Sequence, residues 1–176
     1  MKYIPTEELE NSAVDLLNSV DALEVPVPIE MVAHRLGLGV EQASLGDDVS
    51  GVLVVVEGKG LIGVNSEHPT VRQRFTVAHE IGHFRLHGDE TDLFIDKSYV
   101  AFRDSKAGEG KHRLEIQANQ FAAALLMPAE LIKRELGGEV IDLAAADVID
   151  RLAERFGVSS QSMTFRLEKL NMLAMD

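Results

Sequence analysis

Apolar and polar residues follow two rhythms along this chain. Between Thr6 and Leu17 apolar side chains recur at helical spacing, with Leu9, Val14 (or Ala13) and Leu17 on one side. Pro26 and Pro28 then interrupt the chain. Pro28 suits the first turn of a helix over Ile29–Leu36, and Gly37 suits its stop. Leu38–Gln42 reads as a strand. The β-branched run Gly51–Val56 reads as a short buried strand, Gly58-Lys59-Gly60 as a turn, and Leu61–Val64 as the hairpin partner. Pro69 opens the next helix.

The pattern weakens over residues 88–112, where Tyr99–Phe102 suggests a strand and Ala107–Lys111 a mobile loop. It recovers at Leu114–Met127, a strong helix ended by Pro128. Further helices follow over Pro128–Leu136, Leu143–Phe156 and Ser160–Leu170, with Gly157 as a stop and Ser159 as a cap. Helices, a small sheet and then helices make an α+β chain.

Composition narrows the function. With 176 residues, 45% of them hydrophobic, the chain can bury a real core. It has no cysteine, which removes disulfides, thiolate ligands and thiol nucleophiles together. The formal net charge of −12 would repel nucleic acid as a whole, and an aromatic content of 5% offers no base-stacking platform. No apolar run approaches a membrane span, and the acidic start Thr6-Glu7-Glu8 is unlike a signal peptide. The expected setting is the cytoplasm.

The chemistry lies in His79-Glu80-Ile81-Gly82-His83. Residues four apart share a helix face, so both imidazoles can reach one metal ion. Glu80 is placed to accept a proton from water at that ion. A catalytic zinc site needs a third protein ligand and one open position. Asp89 could supply it, although Leu86 stands where an extended motif of this kind would place a turn-making glycine. Glu115 could supply it from the next long helix, with Asn119 one turn on and placed to hydrogen-bond the back of a ligating histidine. His87 and His112 are the remaining sources. The bland alternatives are partly buried surface histidines, a first-turn glutamate favoured by the helix dipole, and a mid-helix asparagine. Phe121–Met127 reads as core.

Two stretches together, Arg72–His87 and Glu115–Pro128, resemble the ImmA/IrrE family of metallopeptidases. The lead-in Pro26–Glu30 and the segment Gly63–Asn65 are similar as well. Gln117 departs from a position that is commonly charged. The resemblance implies a zincin-like (gluzincin) zinc core over residues 1–137, with a small sheet packed on helices. It implies His79, His83 and Glu115 as Zn2+ ligands and Glu80 as catalytic base. It also implies a protein substrate: a helix-turn-helix transcriptional repressor or an antitoxin, in a stress-response, mobile-element or toxin–antitoxin setting. A regulator that binds such a partner without cutting it is the alternative.

Residues 138–176 would form a C-terminal helical subdomain, helix-turn-helix-like in pattern, packed on the core through Leu152, Phe156, Met163 and Leu170. Its mixed charges favour packing or partner contact over DNA. In the peptidase reading, His87, Tyr99, Arg103 and His112 are candidates to stabilise the oxyanion. The strand at 61–64 could pair with an extended substrate by strand addition if its edge were free.

Overall fold

In β2 (Val49–Val56) side chains point alternately to two faces, and only one face is buried. Leu53 and Val55 are enclosed, whereas Val54 is 38% and Val56 64% exposed. The short strand expected to be buried is thus apolar on both faces but buried on one. β3 (Lys59–Asn65) pairs antiparallel with β2, placing Ile62 opposite Leu53 and Val64 opposite Gly51. Inward-facing residues thus meet across the pair and share the core with the helices.

The computed structural model describes residues 4–56, 59–87, 93–97, 107–137, 141–142 and 146–174. The remaining elements are α1 (Thr6–Ser19), α2 (Ile29–Arg35), β1 (Leu38–Ala43), α3 (Thr70–His87), β4 (Leu93–Lys97), α4 (Ala107–Leu126), α5 (Ala129–Glu135), β5 (Ile141–Asp142), α6 (Ala146–Phe156), α7 (Ser160–Lys169) and β6 (Leu173–Ala174). The architecture is α+β with a mixed four-stranded sheet in the order β1-β3-β2-β4.

That order corrects one expectation. β1 pairs parallel with β3 on one side of the hairpin, and β4 pairs antiparallel with β2 on the other. Both hairpin edges are covered, so β3 cannot receive a substrate strand. Long-range pairing of β1, which no local pattern announces, fills the edge.

α4 begins at Ala107, seven residues before the Leu114 expected from the pattern. Gly108 and Gly110 spell a loop by propensity, and continuation of a well-packed helix overrides it. Tyr99–Phe102 and residues 143–145 lie outside the described residues. The short parallel pair β5 and β6 was not anticipated.

Two arginines, one of them buried, join the C-terminal helices to the rest. Arg166 on α7 is 2% exposed. Its Nε donates to the Met127 carbonyl at 2.9 Å, and its Nη2 donates to Glu10 Oε2 at 2.6 Å on α1. Arg74 on α3 donates from Nε to the Gly157 carbonyl at 3.1 Å and from Nη2 to the Val27 carbonyl at 2.8 Å. Gly157 ends α6 with φ +65, and a side chain there would run into the Arg74 guanidinium. Ser159 caps α7 by accepting from the Ser162 N–H at 3.1 Å. Leu152, Phe156 and Met163 are buried in the same apolar cluster as α1 to α4, and Leu170 packs against it.

Candidate metal centre

Two helices build the site. α3 and α4 pack closely at Gly82, where a Cβ would lie 3.2 Å from both the Ala118 Cα and its carbonyl oxygen. Only a glycine lets the backbones come this near. Around it the facing pairs run His79 with Asn119 and His83 with Glu115. The helices are therefore antiparallel, and the ligand candidates from each meet halfway.

The distances are those of a shared focus. His79 Nε2 and His83 Nε2 are 3.0 Å apart. Glu115 Oε2 is 3.2 Å from His79 Nε2, and Oε1 is 3.4 Å from His83 Nε2. All three residues offer ligand atoms within 4.8 Å of one another, and among the described residues they form a group able to hold a metal ion. The ligands of a tetrahedral zinc site are separated by about 3.3 Å, given bond lengths near 2.0–2.1 Å. The donor set therefore fits a small divalent cation.

Asn119 supports this arrangement. His79 Nδ1 lies 3.0 Å from the Asn119 Oδ1. With the amide oxygen as acceptor, Nδ1 carries the proton and the Nε2 lone pair faces the focus. Both histidine rings are buried, at 2% and 1% exposed, and they meet edge to face. Burial pushes the Glu115 carboxyl up, but its hydrogen bonds to His79 and His83, and their charge, outweigh this and bring it to about 2. The carboxylate is thus ionised across the ordinary pH range, as a metal ligand must be.

Glu80 is fully buried on the same helix. Its Oε1 lies against the Gly51 backbone of β2, beside Thr76 one turn earlier. Neither Gly51 nor Thr76 was singled out by sequence reasoning; a glycine opening a β-branched run was the available signal.

The other candidates separate clearly. His87 is buried one turn beyond His83, their ring centres 5.7 Å apart, and it is outside the three-residue group. His112 is exposed on α4, also outside it. Asp89, Tyr99 and Arg103 lie outside the described residues.

A helix pair that converges two imidazoles and a carboxylate defines a candidate metal-binding site. The chain belongs to the peptidase family described as the IrrE N-terminal-like domain, which matches residues 33–168. It is 47% identical over 73 residues to the radiation response metalloprotease IrrE of Deinococcus deserti, covering 41% of this chain and 24% of that protein. It is 36% identical over 110 residues to the radiation response metalloprotease IrrE of Deinococcus radiodurans, covering 61% of this chain and 30% of that one. The matched segments thus span less than a third of either relative. Among solved structures, a Mycobacterium tuberculosis transcriptional regulator shares the fold, with a TM-score of 0.62 and 19% identity over 94% of this chain and 47% of that one. Among the described residues no helix is long and apolar enough to cross a membrane.

Proposed function

We propose that the protein is a zinc-dependent endopeptidase of zincin-like architecture, with residues 1–137 as its core and 138–176 as a helical subdomain packed on it. The observation that carries this reading is the convergence of His79, His83 and Glu115 beside the buried Glu80. His79, His83 and Glu115 would hold the ion, and Asn119 would fix the His79 tautomer. Zinc held there would polarise a scissile carbonyl and lower the pKa of water.

Glu80 does the proton work on this chain. Its carboxylate accepts a proton from the attacking water and returns it to the departing amine. Burial keeps this carboxylate out of bulk solvent, which suits a group that exchanges its proton within the site.

The substrate we propose is a regulatory protein in the cytoplasm, a helix-turn-helix repressor or an antitoxin, whose cleavage relieves repression. The family membership and the resemblance of Arg72–His87 and Glu115–Pro128 support it. The net charge of −12 makes direct action on nucleic acid a poor alternative.

The experiment compares wild type with Glu80→Gln, both zinc-loaded, against regulatory proteins encoded alongside it. Wild type should cut one of them, and Glu80→Gln should keep its zinc and lose about a thousandfold in rate. A Glu80→Gln variant that still displaces the partner from its operator would instead establish the non-cutting regulator.

A further inference from the structure

α3 meets α4 and β2 with two different faces. Gly82 lets it approach α4, which carries Glu115 and Asn119. Residues 72, 76 and 80 recur every four positions along the helix and meet β2 at Ser50 and Gly51. Arg72 Nη2 donates to Ser50 Oγ at 3.0 Å. A Cβ placed on Gly51 would lie 2.3 Å from Thr76 Cγ2, 3.1 Å from Glu80 Oε1 and 3.3 Å from the Gly63 carbonyl oxygen. The first contact is impossible without movement, and the second is tighter than ordinary packing.

The strand is also irregular at this point. Val49 pairs with Lys97 but Gly51 pairs with Asp96, so Ser50 is an extra residue, a β-bulge between β2 and β4. A bulge bends its strand and re-aims what it carries. Bulge and glycine together bring the β2 backbone against the Glu80 carboxylate.

We infer that Gly51 is a positioning residue for Glu80, seating the proton-transferring carboxylate, while the approach of α3 to α4 at Gly82 sets the metal ligands His79, His83 and Glu115. This rests on the peptidase reading and adds a division of labour to it. The ligands answer to the Gly82–Ala118 approach, and the base answers to the bulged strand. Crowding at Gly51 would then move the base by a few tenths of an ångström without moving the ligands. Small displacements of a reacting group lower turnover steeply.

Gly51→Ala alone would collide with Thr76 and could misfold. The informative variant is Gly51→Ala combined with Thr76→Ser, which removes the colliding methyl and leaves the contact with Glu80. Thr76→Ser alone is the control. The protein is labelled with glutamate carrying ¹³C at its side-chain carboxyl, and the Glu80 resonance is assigned by its loss in Glu80→Gln. Zinc affinity is measured by competition with a chromophoric chelator. The expected result is a displaced Glu80 resonance at unchanged zinc affinity, with kcat about tenfold lower at unchanged KM. A Glu80 resonance that stays in place in the folded double variant overturns the proposal. So does a zinc affinity that falls along with the displacement, because Gly51 would then serve the whole site. A wild-type zinc protein that cuts no partner would overturn the peptidase reading by itself, with the resonance displacement still standing.

Discussion

Two clusters of polar side chains in the molecule are treated differently. At the C-terminal helices, Arg166 and Arg74 are matched by carboxylate and carbonyl oxygens at ordinary hydrogen-bond distances. Each guanidinium is answered by acceptors on other elements, so the cluster is complete as protein. Between α3 and α4 two imidazole nitrogens and a carboxylate converge on a common point. Such a group is accommodated in a protein interior by protons or by a cation between its atoms. The first cluster holds elements together, and the second could hold a metal ion.

The sharpest way to break this contrast is at Arg166. Arg166→Ala should cost about 3 kcal/mol or more of stability, because it leaves Glu10 and the Met127 carbonyl without their donor. Zinc affinity of the folded fraction should not change. Denaturant midpoints beside chelator competition would check both halves, and a large loss of zinc affinity would show that the two clusters are coupled.

The next effect reverses the pattern. Asn119→Ala removes the acceptor on His79 Nδ1, so zinc affinity should fall about 10- to 100-fold. The buried His79 Nδ1 loses its acceptor, so the zinc-free protein should lose about 1 kcal/mol of stability, less than with Arg166→Ala. A stability loss as large as that of Arg166→Ala would mark the asparagine as a structural member of the core.

The smallest effect concerns acid. The Glu115 carboxyl sits at about 2 in the fold against an ordinary value of 4.5. A depressed carboxylate stabilises the fold above its unfolded value, and that contribution is lost as pH falls from about 4.5 towards 2. About a third of its side chain is exposed, so the contribution is below about 1 kcal/mol. In chelator at pH 5.5, where imidazoles are ordinarily charged, wild type should be slightly more stable than Glu115→Gln. The difference should shrink on acidification; one that grew would contradict the assigned direction.

The helical half of the site was legible in sequence because helix geometry is local. A spacing of four puts His79 beside His83, and again Glu115 beside Asn119, whatever the rest of the chain does. Sequence favoured Glu115 as the partner of the histidine pair, over Asp89, which lacks a turn-making glycine at 86, and over His87, too far along the helix. The antiparallel packing of α4 brings Glu115 to the focus.

The sheet was less legible. β1 and β3 pair in parallel across intervening chain, and nothing in Leu38–Ala43 names its partner. The bulge at Ser50 is likewise invisible until β4 is in place. Arg166 did leave a trace, standing on the apolar stripe of Met163, Leu167 and Leu170 where a surface arginine would not belong.

The most direct measurement is elemental zinc in purified wild type beside His83→Ala and Glu115→Ala. If the focus between α3 and α4 is the metal site, wild type holds about one zinc per chain and both variants lose it while remaining folded. Zinc retained in Glu115→Ala would move the third ligand elsewhere. No zinc in wild type, even after it is added back, would contradict the central claim.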